Sequence, residues 1–280
     1  MDHSKNNSDN PNHSNNSQLF IKDSEPTFGS DLSGEPITSH TKKRTIDAAI
    51  DIQQNELGCN VDFLHTVMCQ VGMPRRPTSE REFLRKNGQV SMLMEAGSLY
   101  QHKQWVAKPL PSGAKPRLIM IHICSEAVRT GNPRIEVGFS VRQFLKTLQL
   151  NPDGREYRRF KNQMEALAAC HILLGFSNGQ RSTTLDVKPI NEFTAWCSDD
   201  DDQRTLWPGI IQLSQPFFDT IRASAVPLDR RALRGIQHSA LCLDIYTWLA
   251  HRLHRIPKKN GVDLSWDNLH RQFGEEYAQK

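Results

Sequence analysis

Arg155, Arg158, Arg159 and Asn162 recur at short spacings inside "GREYRRFKNQMEALAA". A guanidinium fork suits phosphate oxygens and the guanine edge in the major groove, so the chemistry such a set could do is nucleic-acid recognition. On a 3.6-residue repeat Tyr157, Phe160, Met164 and Leu167 fall on one stripe, the face a packed helix buries. The four polar side chains project the other way, with Ala166 beside them. A basic face of this kind also occurs on helices that meet only solvent, and both readings stand for this stretch taken alone.

The neighbouring elements decide how such a face is presented. "NPDG" breaks the chain before the helix, and "SVRQFLKTLQL" ahead of it carries its own stripe of Val141, Phe144, Leu145 and Leu148 behind a Ser140 cap. Two short helices across a tight turn make a helix-turn-helix candidate, with the second as recognition helix. Upstream, "KPRLIMIHICSEAVR" reads as a core helix, with a strand as the alternative, and "PRIEVGF" as a strand. Downstream, "CHILLGF", the turn "SNGQ" and "RSTTLDVKPI" read as a β-hairpin. Helix, strand, helix, helix, hairpin is the order of a winged helix. The hairpin is then the wing, which sets Asn178, Gln180 and Arg181 near a duplex backbone. Asp199 to Asp202 read as a solvated loop on the side away from DNA.

Composition divides the 280 residues. Residues 1–40 are rich in Asn, Ser, Asp and Pro and too poor in apolar side chains to offset ordering, which predicts a disordered tail. That tail holds six acidic and two basic groups, net −4, so the remaining 240 residues carry +8 against an overall +4. A basic body favours an acidic partner such as DNA. Residues 41–114 form an N-terminal extension: a short amphipathic helix at 45–55, then "NGQVSMLMEAG" as a strand paired with "SLYQHKQWVAKPL". Residues 115–209 make the first winged-helix domain. Residues 210–280 repeat its pattern: "GIIQLS" as a strand, Ser214 capping "QPFFDTIRAS", helices in "PLDRRALRGIQ" and "SALCLDIYTWLAHRLHRI", "VDLSW" as a strand and "DNLHRQFG" as a helix. The fold class expected is α+β, a winged helix followed by a second, incomplete winged-helix-like half. In the long helix Leu241, Ile245, Trp248 and Leu249 line one side and Cys242, Tyr246 and Leu253 the next. Its basic end, through Lys258 and Lys259, suits the helix dipole as well as a phosphate.

The remaining patterns exclude more than they assign. Six cysteines at 59, 69, 124, 170, 197 and 242 show no metal-ligand spacing, the usage of a reduced cytoplasmic protein. Mean hydropathy is −0.58, and neither a signal peptide nor a membrane-spanning run is evident. There is no phosphate-binding G-x-x-x-x-G-K-[ST], no His-hydrophobic-His pair of a nicking enzyme and no G-x-S-x-G, so no catalytic residue, cofactor or metal is expected. His251 and His254 share a helix face but lack a carboxylate to complete a metal site.

"EAVRTGNPRIEVGFSVRQFLKTLQL", "VPLDRRALRGI", "LCLDIYTWLAHRL" and "VDLSWDNLHRQFGEEYA" resemble the plasmid-encoded RepA replication initiators, the RepA C-terminal family, from about residue 60 to the end. The resemblance implies an initiator built of winged helices that binds repeated origin sites, helps open AT-rich DNA, recruits host replication proteins and represses its own promoter. It also implies a homodimer in exchange with monomers, acting on plasmid DNA in the bacterial cytoplasm with no membrane partner. Chains of that family continue past the "FGxxYA"-like block into another basic helix, whereas this sequence ends at Lys280, so the DNA-binding residues are placed in the first half: Arg142, Arg155, Arg158, Arg159, Asn162 and Arg181. A winged-helix repressor, a shortened inhibitory partner of a longer initiator and a DNA-nicking enzyme are the competing readings.

Overall fold

A computed structural model describes residues 39–101, 103–177, 179–186, 188–194, 209–256, 261–274 and 276. Most of the expected disordered tail, Asn178, the Asp199 to Asp202 loop and Lys258 with Lys259 lie outside the described residues. The described chain runs α1 (Ser39–Gln54), β1 (Val61–His65), α2 (Thr66–Gln70), β2 (Glu82–Asn87), β3 (Val90–Glu95), β4 (Ser98–Gln101) and β5 (Gln104–Ala107). It continues through α3 (Ala114–Thr130), β6 (Arg134–Gly138), α4 (Val141–Thr147), α5 (Gly154–Ala169), β7 (His171–Ser177), β8 (Ser182–Asp186) and β9 (Ile190–Thr194). Then come β10 (Gly209–Leu213), α6 (Gln215–Ser224), β11 (Ala225–Asp229), α7 (Arg230–Ile236), α8 (Ala240–Leu253) and α9 (Trp266–Phe273). Mixed helices and antiparallel sheets make the fold α+β, as expected.

Helix α3 is the hub. Its apolar residues are too dense for one stripe, and Ile119, Met120, Ile123, Cys124 and Ala127 are all fully buried because β1, α5, α6 and α8 pack around it. Gly131, left-handed at φ 63°, ends the helix with its N–H on the Ala127 carbonyl. The alternation expected of Val90, Met92 and Met94 is present as the buried face of β3. Cys69, Cys124 and Cys170 serve as small core hydrophobes, and burial pushes the Cys124 and Cys170 thiols up to about 12.

Sheet pairing is where sequence expectation and structure part. The β7–β8 hairpin exists, but β7 pairs with β3 in a four-stranded sheet of order β2-β3-β7-β8. Strand β6 pairs instead with β10, and β10 with β9, all antiparallel. The hairpin expected to serve as wing is therefore not the one that completes the sheet of β6. That one is β9–β10, and the segment 195–208 that joins its strands lies outside the described residues. Nor does "SLYQHKQWVAKPL" pair with β3: it folds on itself as β4–β5, and β2 takes the place beside β3.

Strands from both sides of the expected borders share sheets. Residues Val61–His65 pair with Asp229–Ala225, and β10 completes a sheet begun before residue 139, so the segments interlock. Within the second half α6, β11, α7 and α8 repeat the helix, strand, helix, helix order of α3, β6, α4 and α5. Strand β11 occupies the start of "PLDRRALRGIQ", and the Asp229 carboxylate then accepts from the Arg231 N–H at 2.8 Å to start α7. Helix α1 packs across α7 so closely that a side chain at Gly235 would come within 2.9 Å of Ala48 Cβ. "VDLSW" forms no strand: Ser265 accepts from the Asn268 N–H and caps α9, which takes Trp266 as its first residue.

Candidate nucleic-acid interface

Helix α5 begins at Gly154, the last residue of the "NPDG" break. The Asp153 carboxylate accepts from the Glu156 N–H at 2.8 Å, which satisfies one of the free donors of the first turn. Tyr157, Phe160, Met164 and Leu167 are buried, with the Phe160 ring edge-on to Phe144 of α4 at 5.4 Å. Phe144 in turn meets His122 of α3 at 5.1 Å, so three helices fix the angle at which α5 leaves the body.

Ala166 departs from expectation. It is fully buried, and Glu165 and Ala168 are largely so, because α5 packs against α3 on one flank and β4 and β9 on the other. The Glu165 carboxylate accepts from Lys108 Nζ at 2.7 Å, which pairs the charge it takes inward. The exposed arc of α5 thus narrows to its N-terminal portion, where Arg155, Arg158, Arg159 and Asn162 are all exposed.

Those four are brought together on one helix face. Arg158 Nε lies 3.4 Å from the Gly154 carbonyl, and Arg159 lies 3.7 Å from Glu156, which also meets Lys115 at 3.0 Å. Arg159 and Asn162 line a cleft of about 500 Å³ whose other wall holds Gln237 and His238, between α7 and α8. Arg142 is exposed near the start of α4, whose Ser140 hydroxyl accepts from the Gln143 N–H at 3.2 Å. Arg181 is also exposed, but it stands on β7–β8, in a sheet that shares no strand with β6. The base of that hairpin is partly acidic: His171 bridges Glu95 at 3.1 Å and Asp186 at 2.7 Å. Partial burial lowers the His171 pKa, but hydrogen bonds and charge from both carboxylates outweigh it and hold the ring above its ordinary value. Among the described residues no group of three or more His, Cys, Asp or Glu is placed to hold a metal ion. No helix among them is long and apolar enough to cross a membrane.

A family model described as "Plasmid encoded RepA protein" matches residues 110–268. The chain belongs to the plasmid-encoded RepA family. Within this RepA chain the matched part holds everything from α3 to α8, including both helix, strand, helix, helix passes, and this is a family of replication initiators. Two solved structures are similar in backbone. "Crystal structure of SeMet derivatives of domain2 and domain 3 of RctB" gives a TM-score of 0.49 at 10% identity, covering 76% of this chain and 78% of that one. "Crystal structure of the RctB domains 2-3, RctB-155-483" gives 0.47 at 9%, covering 76% and 77%. No curated protein sequence matches the chain.

Sequence reasoning missed the charges that hold the RepA body together. Asp244 sits on the buried face of α8, where its carboxylate accepts from Arg117 Nε at 2.6 Å, Arg117 Nη2 at 2.9 Å and Arg75 Nε at 2.9 Å. The buried arc of α8 is Leu241, Leu243, Asp244, Thr247 and Trp248, whereas Cys242 and Leu253 are exposed. A lone carboxylate within "ALCLDIY" was the available signal, since an apolar helix face keeps an acid only when a cation meets it.

Proposed function

We propose that this chain is a plasmid replication initiator that grips origin duplex at repeated sites through α5, with no bond-making chemistry, cofactor or metal of its own. The observation that carries the reading is the face of Arg155, Arg158, Arg159 and Asn162 on a capped helix whose opposite face is locked in the core of the RepA match. The order α3, β6, α4, α5, β9, β10, with the β7–β8 hairpin inserted between α5 and β9, and the sheet order β6-β10-β9 support treating this part as a winged helix, α5 being its recognition helix and β9–β10 its wing. In that arrangement Arg155 and Arg158 meet phosphates or guanine, Asn162 reads a base, and Arg142 holds the backbone from the start of α4. Arg181, on the other hairpin, becomes a peripheral backbone contact. Opening of adjacent DNA, recruitment of host replication proteins, repression of its own promoter and exchange between homodimer and monomer complete the proposal, and its site of action is plasmid DNA in the bacterial cytoplasm.

The test is titration of the full chain with its own flanking duplex and with random duplex across a range of salt. Arg142→Ala should weaken both duplexes alike and lower the salt slope by about one, whereas Asn162→Ala should cost roughly 1–3 kcal/mol on the specific site alone. Equal losses from both substitutions on both duplexes would mean that α5 does not read sequence. Footprints at repeats beside an AT-rich segment indicate initiation, and a single operator over a promoter indicates a repressor.

A further inference from the structure

The β4–β5 hairpin lies ahead of the matched RepA segment and takes no part in the α5 face. Its register sets Leu99 opposite Val106 on one face, where Leu99 packs against the core, and Tyr100 opposite Trp105 on the other. The second face turns its rings outward: Tyr100 is 63% exposed and Trp105 73%, with centroids 5.4 Å apart and planes at 60°. Rings of this size are ordinarily buried, and their flanking cross-strand pair, Ser98 with Ala107, is too small to cover them.

The hairpin is anchored at its base. The Arg81 guanidinium donates to the Lys108 carbonyl at 2.7 Å and the Ala96 carbonyl at 2.5 Å. Gly97 abuts the last turn of α5, where a Cβ would lie 2.1 Å from the Ala169 carbonyl oxygen. Charge at the free end has one sign: residues 98–108 contain no carboxylate, and Lys103, exposed at the turn with φ 65°, points the segment towards an anion.

We propose that β4–β5 binds unpaired nucleotides, with bases stacking on Tyr100 and Trp105 and a phosphate meeting Lys103. Stacking needs flat rings with open faces and tolerates any base, and a nearby cation holds the backbone. The lack of any carboxylate in residues 98–108 and the exposed Lys103 at the turn favour an anionic occupant over a protein surface. The proposal goes beyond duplex binding by α5 and shares no residue with it.

Fluorescence anisotropy of labelled oligo(dT) with the full chain tests it, alongside a duplex of the flanking DNA. Tyr100→Ala with Trp105→Ala should lower oligo(dT) affinity roughly tenfold or more, while Trp105→Phe keeps most of it and duplex affinity and melting temperature stay as in the wild type. Arg155→Ala with Arg158→Ala should do the reverse. Wild-type chain that ignores oligo(dT), or a double alanine variant that binds it unchanged, overturns the proposal, and so does a hairpin variant that loses only a host protein. Failure on the duplex with oligo(dT) binding intact would sink the α5 reading alone.

Discussion

Replacing Asp244 by alanine removes the one carboxylate between two buried guanidiniums. Asp244 is 8% exposed, Arg75 3% and Arg117 5%, so water cannot take over the lost contacts. Arg117 would keep the carbonyls of Met73, Pro74 and Gly113, and Arg75 would keep the Phe273 carbonyl and the Glu276 carboxylate at 3.7 Å, so the stranded charge is chiefly that of Arg117. Breaking a buried pair by removing one partner costs about 3–5 kcal/mol. At ~2–4 °C per kcal/mol for a folded chain of this size, the melting temperature should fall by roughly 6–20 °C. Urea unfolding of the wild type and Asp244→Ala should show a lower midpoint at unchanged slope. The double variant Asp244→Ala with Arg117→Met should lose less than the two single losses added, since the stranded cation goes with it. A loss below about 1 kcal/mol would refute the reasoning and assign the work to the carbonyls.

Three further perturbations have expected outcomes. Gly72→Ala brings a Cβ to within 2.7 Å of the Asp244 carboxylate, and should destabilise by about 1–3 kcal/mol in the same urea assay, an effect that vanishes in the Asp244→Ala background. His65 is 2% exposed, and burial lowers its pKa to about 4. Because the folded pKa lies below the unfolded 6.5, stability is full above pH 6.5 and falls as pH drops towards 4; His65→Asn, which can still accept from the Val67 N–H, should flatten that acid limb of a melting-temperature profile. Asp153→Ala removes the α5 cap, and should cost about 1 kcal/mol of stability and weaken duplex binding through fraying of the turn that carries Arg155.

Local signals were legible. The "NPDG" break and the Tyr157, Phe160, Met164, Leu167 stripe delimit α5 without reference to any other element, and the exposed arginines follow from the stripe. Partnership between distant strands was not. Nothing in "CHILLGF" says that its mate is Val90–Glu95, some eighty residues earlier, in place of Arg134–Gly138. Strand β11 hid behind its own capping aspartate, which reads equally as helix. Asp244 is visible as an anomaly in an apolar helix, yet its partners lie 127 and 169 residues away and leave no periodic trace. Tyr100 and Trp105 were likewise in view, but only the register of β4–β5 sets them side by side.

The pairing of β1 with β11 has a consequence during synthesis. Val61 meets Asp229, 168 residues later, so a ribosome adding ~5–20 residues per second holds β1 without its mate for roughly 8–34 seconds. Over that interval β1 has α3 to pack on but lacks its strand mate, and the neighbouring α2 residues Val67 and Met68, core in the finished chain, lack the cover of α8. Newly made chains should therefore draw on chaperones until β11 emerges, and a messenger cut short before Ala225 should yield an aggregating fragment in place of a working half.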